Sequence, residues 1–188
     1  MHRGFKSEAK RFALELRAEI GLDAHVPFDP YAFTKEYGIQ VVRLSELACE
    51  ERRHFLRAKG SAFSGALIPI GTGLTILEND AQPLARRRTT MCHEIAHVVL
   101  EHNFAVSLAS DERKCGVGGV QELEADWLSG EILIPYDGAL RLARSDATDG
   151  DAAEAFEVSL AVARWRMNSS GARTVIDRSR QKWGRLSR

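Results

Sequence analysis

The stretch MCHEIAHVVLEH, Met91–His102, decides how this 188-residue chain is interpreted. It contains three of the six histidines of the chain, and a glutamate follows the first of them. His93 and His97 are four residues apart, so on a helix their imidazoles lie on the same face, one turn apart. Two such nitrogens can bind one zinc ion at about 2.0–2.1 Å each. The stretch therefore predicts a helix that carries two metal ligands.

Glu94 lies about 100° further around the same helix than His93. From there it can approach a water molecule at the metal without being a ligand, take a proton from it and pass the proton to a leaving amine. This is the chemistry of the HExxH pattern of metalloproteases. The pattern is short, and helices often carry surface histidines. Its apolar neighbours favour the metal site over an exposed, histidine-rich helix; they are Ile95, Ala96, Val98 and Val99.

A catalytic zinc ion needs a third protein ligand and one open position. His102 follows His97 by five residues, about 500° on a helix, and so points about 140° away from it. It also misses the longer HExxHxxGxxH pattern, because the required glycine is missing. We therefore expect His102 to be a structural residue or a partner of a ligand, and not a ligand.

The segment QELEADWLSGEILIP, residues 121–135, offers a better third ligand. Glu122 and Asp126 share one helix face, and Glu122 can supply the carboxylate oxygen that completes a site of two histidines and one glutamate. Asp126 can accept the remaining N–H of a ligand histidine and so fix its tautomer. Glu124 points about 200° away from Glu122, and we expect it to be solvated. A one-step error in helix phase would reverse the choice between the two glutamates.

Composition indicates a soluble globular protein, with 44% hydrophobic and 28% charged residues. No apolar run approaches the roughly 20 residues that span a bilayer. Residues 1–12 lack the apolar stretch of a secretory signal, so we expect a cytoplasmic protein with no membrane attachment. The formal net charge is zero, which gives no general attraction to nucleic acid.

Three cysteines, Cys49, Cys92 and Cys115, are an odd number without a short CxxC spacing. This argues against a disulfide framework and against a cysteine-rich zinc module. Cys115 lies in a glycine-rich loop predicted over residues 103–120. A thiolate there could bind the zinc ion and block its open position, but an ordinary loop cysteine is the simpler interpretation.

Hydrophobic periodicity, caps and turn residues predict helices at both ends of the chain and a small sheet between them. The predicted strands cover residues 39–44, 64–70 and 73–77. The predicted helices cover residues 6–20, 30–37, 45–59, 83–103, 121–133, 137–144, 152–156 and 159–167. This order is typical of an α+β fold with a three-stranded sheet packed on helices. We take the strand over 73–77 as an edge strand that can pair with an extended substrate.

The polar stretch SDATDGD, residues 145–151, predicts a boundary within the chain. We expect a metallopeptidase domain over residues 1–144, a C-terminal helical subdomain over 145–170 and a basic tail over 171–188. From Arg173 onward the only acidic residue is Asp177, and a solvated terminus is favoured over a partner-binding arm.

Together these segments resemble the ImmA/IrrE family of bacterial metallo-endopeptidases. The resemblance rests on five blocks in the family's order and covers roughly residues 8–170. They are VPFDPYAFTKEYGIQVV (26–42), LTILEN (74–79), RRRTTMCHEIAHVVLEH (86–102), ELEADWLSGEILIP (122–135) and FEVSLAVARWRM (156–167). The resemblance implies a zincin-like fold of the gluzincin type. It also implies these roles: zinc ligands His93, His97 and Glu122, catalytic base Glu94, and supporting acid Asp126.

Three further positions are interpreted through the same resemblance. Arg166 falls where the family's helix carries an arginine, and it could stabilise the oxyanion or form a structural ion pair. Thr89 stands where an aromatic residue is common, and Cys92 where alanine is common. Neither departure removes a catalytic group, and Cys92 is most simply a small buried residue.

The resemblance implies a zinc-dependent endopeptidase that acts on a cytoplasmic regulatory protein, a helix-turn-helix transcriptional repressor, in a stress response. The alternative is a zinc-stabilised antirepressor that binds and sequesters a repressor without cleaving it. Glu94 favours the enzyme, because a binding scaffold does not need a catalytic base. A helical domain without any metal is a third interpretation, and it predicts a protein that contains no zinc. We expect no direct nucleic-acid binding.

Overall fold

The structure is a computed structural model that describes residues 1–59, 63–70, 73–102 and 119–186. Over these ranges the chain forms nine α-helices, one short 3-10 helix and one three-stranded sheet. The α+β class expected from the sequence is therefore confirmed. Within the same ranges, no helix is both long and apolar enough to cross a membrane.

The helices and strands follow the predicted order, with most ends shifted by a few residues. The helices are α1 (Phe5–Glu19), α2 (Pro30–Glu36), α3 (Cys49–Lys59), α4 (Leu84–Val99), α5 (Gly119–Leu133), α6 (Tyr136–Arg144), α7 (Asp149–Ala155), α8 (Leu160–Ser169) and α9 (Ala172–Leu186). The strands are β1 (Gln40–Arg43), β2 (Gly65–Ile70) and β3 (Gly73–Glu78), and the 3-10 helix covers Leu44–Glu46.

The chain divides into two compact units. The first contains residues 1–5 and 29–129, and the second contains residues 6–28 and 130–188. One division between them falls inside α5, after Ser129. The boundary predicted at residue 145 lies within the second unit.

The sheet of the first unit has the strand order β1-β3-β2. β3 runs parallel to β1 and antiparallel to β2, so that Ile76 lies opposite Val41 on one side and Leu67 on the other. The strand over 73–77 is therefore central, and our prediction of an edge strand there was wrong. The physical reason is that β1, from earlier in the chain, occupies its second edge, so β1 and β2 are the outer strands.

Helix α4 packs against β2 and β3. Met91, Cys92 and Ile95 on this helix are fully buried, which confirms Cys92 as a small buried residue. Gly65 in β2 permits a close approach, since a Cβ there would lie 2.6 Å from the side-chain methyl of Thr90. This packing brings β2 beside the helix that carries the two histidines.

In the second unit, α1 buries Ala9, Ala13 and Leu16, which recur at helical spacing on one face. It also buries Arg17 completely, which the sequence did not indicate. The guanidinium of Arg17 donates to the backbone carbonyl oxygens of Ile132, at 2.6 Å, of Asp23 and of Val26. Such bonds to a buried cation replace its lost hydration and tie α1 to the loop that follows it and to the end of α5.

A second buried arginine, Arg166 in α8, pairs with Glu131, its Nη2 lying 2.9 Å from the carboxylate. Its Nε also donates to the carbonyl oxygen of Ile134 at 3.2 Å. Both charged side chains are fully buried. Of the two roles considered for Arg166, these contacts support the structural ion pair.

Residues 172–186 form α9 instead of the solvated tail that we expected. Ala172 and Ile176, four residues apart, are buried on one face of this helix. Arg173 and Arg180 pair with the carboxylates of Asp149 and Asp146 at 2.8 and 2.6 Å. The buried apolar pair explains the difference, because exposed ion pairs alone stabilise a fold weakly.

Candidate metal centre

Helix α4 places His93 and His97 on one face, as the four-residue spacing requires. Their Nε2 atoms lie 3.0 Å apart. The ring of His97 is fully buried, whereas that of His93 is partly exposed. The pair thus has one protected member and one member that can be reached from solvent.

Glu122 on α5 faces both Nε2 atoms. One carboxylate oxygen lies 3.4 Å from His93 Nε2, and the other lies 3.4 Å from His97 Nε2. Zinc bonds of 2.0–2.1 Å at tetrahedral angles place neighbouring ligand atoms about 3.3–3.4 Å apart. Within the described ranges, His93, His97 and Glu122 form a group able to hold one metal ion. The structure thus brings the three predicted ligands together at distances that fit a small divalent cation.

The other ring nitrogen of His93 supports the same use of this cluster. His93 Nδ1 lies 3.0 Å from a carboxylate oxygen of Asp126, on the exposed side of α5. An ionised carboxylate only accepts hydrogen bonds, so Nδ1 carries the proton and Nε2 of the neutral ring has a free lone pair. Two imidazoles and one carboxylate are a donor set that suits zinc.

The charges around this cluster favour a cation there. Burial alone would lower the pKa of His93, but hydrogen bonds with Asp126 and Glu122 outweigh it and raise the pKa to about 10. The pKa of His97 is lowered, first by burial and then by the positive charge of His93. Without a metal, one proton on His93 therefore supplies the positive charge that Glu122 and Asp126 attract.

Glu94 is buried beside the two histidines. Burial and the nearby Glu122 raise the pKa of its carboxyl to about 7, although the charge of His93 opposes this. The carboxyl also accepts a hydrogen bond from the backbone N–H of Leu67 in β2. Its Oε2 atom has no hydrogen-bond partner among the residues that the structure describes. Glu94 is thus a buried acid with one oxygen available to a further proton donor.

We expected His102 to lie on the same helix as His97, but it lies beyond the end of that helix. Helix α4 ends at Val99, and Glu101 has a φ of 51°, in the left-handed region. The chain therefore turns back, and His102 Nδ1 lies 2.9 Å from His97 Nδ1. His102 is therefore a partner of a predicted ligand through the turn that follows α4, and not through its phase on that helix.

Glu124 is not solvated, contrary to our expectation. Its side chain is only 14% exposed, and one carboxylate oxygen lies 3.7 Å from His102 Nε2. The helix phase that directs Glu122 to the two histidines directs Glu124 to His102, in the turn after α4. Sequence reasoning missed this contact because it assumed that α4 extends through His102. Cys115, for which we weighed a role at the metal, lies outside the described residues.

Comparison with protein families assigns the chain. Residues 33–168 match the model of the peptidase M78 family, described as an IrrE N-terminal-like domain. The chain belongs to this family. The match covers more than half of the chain, spans α4 and α5, and confirms the resemblance stated from the sequence. Membership in peptidase M78 supports a metallopeptidase-like function. Comparisons with curated proteins and with solved structures find no match.

Proposed function

We propose that this M78 domain is a zinc-dependent endopeptidase. The observation that carries the proposal is Glu94, a buried carboxyl next to three side chains that can hold a metal. One of its oxygens has no hydrogen-bond partner among the described residues. His93, His97 and Glu122 would hold the ion. When bound, zinc supplies a Lewis acid that polarises the scissile carbonyl.

Glu94 would move the proton. A general base works best when its pKa lies near the operating pH, and the pKa of Glu94 is raised to about 7. The carboxylate would take a proton from the attacking water and then give it to the leaving amine. The hydrogen bond from Leu67 would keep the carboxyl oriented during both transfers.

The outer edge of β2 would bind the substrate, in place of the strand that we expected. A backbone N–H of a strand lies in the plane of its sheet, so the bond from Leu67 to Glu94 places this edge beside the proposed base. Pro69, two residues further along β2, would point its nitrogen to the same outer edge. A proline has no N–H to donate to a neighbouring strand, so this position is typical of an edge strand. An extended peptide could add to β2 as a further strand, its backbone held next to Glu94.

For the substrate, we propose a cytoplasmic helix-turn-helix transcriptional repressor, cleaved during a stress response. This step rests on the resemblance to the ImmA/IrrE family, whose members often act on such repressors. An extended segment is required at β2, so the cleaved bond would lie in a loop or linker of the repressor.

Incubation with a purified helix-turn-helix repressor from the same organism tests the proposal, with fragments identified by mass spectrometry. The wild type should cleave it, and Glu94→Gln should retain zinc without cleaving. Glu154→Gln, which changes an exposed glutamate of α7 in the same way, is the matched control and should cleave normally. Cleavage by Glu94→Gln, or in the presence of a chelator, would refute the proposal. A stable complex without cleavage by the wild type would favour the sequestering antirepressor.

A further inference from the structure

We propose that His102 and Glu124 are positioning residues that hold His97 in the tautomer required for metal binding. The inference rests on the proposed metal site and concerns how the second histidine of that site is held. Asp126 supports His93 directly, whereas His97 is supported through a second imidazole.

Two contacts hold His102 against His97. The backbone N–H of His102 donates to the carbonyl oxygen of His97 at 3.1 Å, and the Nδ1 atoms of the two rings lie 2.9 Å apart. Both residues are buried, so water does not compete for the contact between the rings. The left-handed conformation of Glu101 makes this return of the chain possible.

The contact between the rings permits two arrangements of one proton. In the first, His97 Nδ1–H donates to the lone pair of His102 Nδ1, and the lone pair of His97 Nε2 can bind a metal. In the second, His102 Nδ1–H donates to His97 Nδ1, and the proton of His97 lies on Nε2, where it blocks the metal. Only the first arrangement is compatible with His97 as a ligand.

Glu124 favours the first arrangement. In it, His102 carries its proton on Nε2, the atom that faces the Glu124 carboxylate at 3.7 Å. The second arrangement would direct a lone pair at this negative charge, which is unfavourable. The other oxygen of Glu124 lies 3.6 Å from His2 Nδ1.

The arrangement also limits the negative charge in the site. A carboxylate placed directly against His97 would add a further charge close to Glu94 and Glu122. His102 supplies a neutral acceptor there and leaves the charge of Glu124 one ring further from the metal position.

The test measures zinc affinity by competition with a chromophoric chelator, using the full chain and zinc alone. His102→Leu removes the acceptor and should weaken zinc binding about 10–100-fold, as is usual when the partner of a ligand histidine is lost. His102→Gln offers an amide oxygen in its place and should recover part of the affinity. Glu124→Gln should cause a smaller loss, and Glu154→Gln none.

A double-mutant cycle separates positioning from general structural support. If Glu124 acts through His102, Glu124→Gln should have no effect on zinc affinity once His102→Leu is present. Additive losses would overturn the inference, as would wild-type affinity in both single variants. If His102→Leu does not fold, the comparison of His102→Gln with Glu124→Gln decides in its place. Failure of the wild type to bind zinc would instead refute the proposed function itself.

Discussion

The carboxyl of Glu94 accepts a hydrogen bond from the backbone N–H of Leu67, and this bond joins helix α4 to strand β2. The same side chain lies beside the histidine pair and keeps one buried oxygen without a partner in the described part of the chain. The proposed base therefore lies beside the strand that we propose to bind the substrate. A displaced β2 would change both the position of the base and the path of the peptide.

Burial of Glu94 should make the stability of the metal-free protein depend on pH. Its folded pKa of about 7 lies above the ordinary value of 4.5. As pH rises, the unfolded chain therefore releases this proton at a lower pH than the folded protein does. The stability contribution is present below pH 4.5 and is lost as pH rises toward and through 7. Glu94→Gln removes this dependence and should gain on the order of 2–3 kcal/mol relative to wild type between pH 4 and pH 8.

Urea unfolding of both metal-free proteins at several pH values measures this difference. Glu154→Gln is the control and should show no such change relative to wild type. A constant difference between wild type and Glu94→Gln across the range would show that Glu94 titrates normally in the folded protein.

Removal of Glu122 should abolish tight zinc binding. Glu122→Ala leaves two histidine ligands where three protein ligands are needed for a catalytic site. Elemental analysis of purified wild type and Glu122→Ala should find about one zinc ion per chain in the former and little in the latter. Leu123→Ala changes an exposed neighbour on the same helix and is the control. Equal zinc content in wild type and Glu122→Ala would remove Glu122 from the ligand set.

Local spacing predicted that His93, His97 and Glu122 lie together. The four-residue repeat of His93 and His97 and the helix phase of Glu122 depend only on regular helix geometry, which the sequence shows directly. Which strand lies at the edge was not predictable, because β1 and β3 pair across more than 30 residues. The environment of His102 was missed for a related reason, since it depends on where α4 ends.

Buried charge was the other feature that periodicity could not show. Arg17 occupies the position one turn after Ala13, on the buried stripe of α1. A charged residue in an amphipathic helix is ordinarily assigned to the solvent face. The carbonyl oxygens that accept from the guanidinium in the folded chain help to make its burial favourable, and they lie outside α1.

Helix α9 should stabilise the fold through one face. Ile176→Ala removes a buried side chain and should cost about 2 kcal/mol of unfolding free energy, at the low end for such substitutions. Val175→Ala changes the neighbouring, exposed β-branched residue and should cost much less. Thermal and urea denaturation of the two variants measure the difference. Equal effects would indicate that the 171–188 segment behaves as the solvated tail first expected.

The ion pair between Arg166 and Glu131 should support stability and not zinc binding. Arg166→Met leaves the Glu131 carboxylate buried without its cation, which typically costs about 3–5 kcal/mol. Adding Glu131→Gln removes the unpaired charge, so the double variant should recover much of that loss in urea denaturation. Zinc affinity of the folded fraction should stay at the wild-type value throughout, because neither residue is among the proposed ligands or their partners. If Arg166→Met keeps the wild-type unfolding free energy but cleaves the repressor much more slowly, Arg166 acts in catalysis, as the oxyanion role would require.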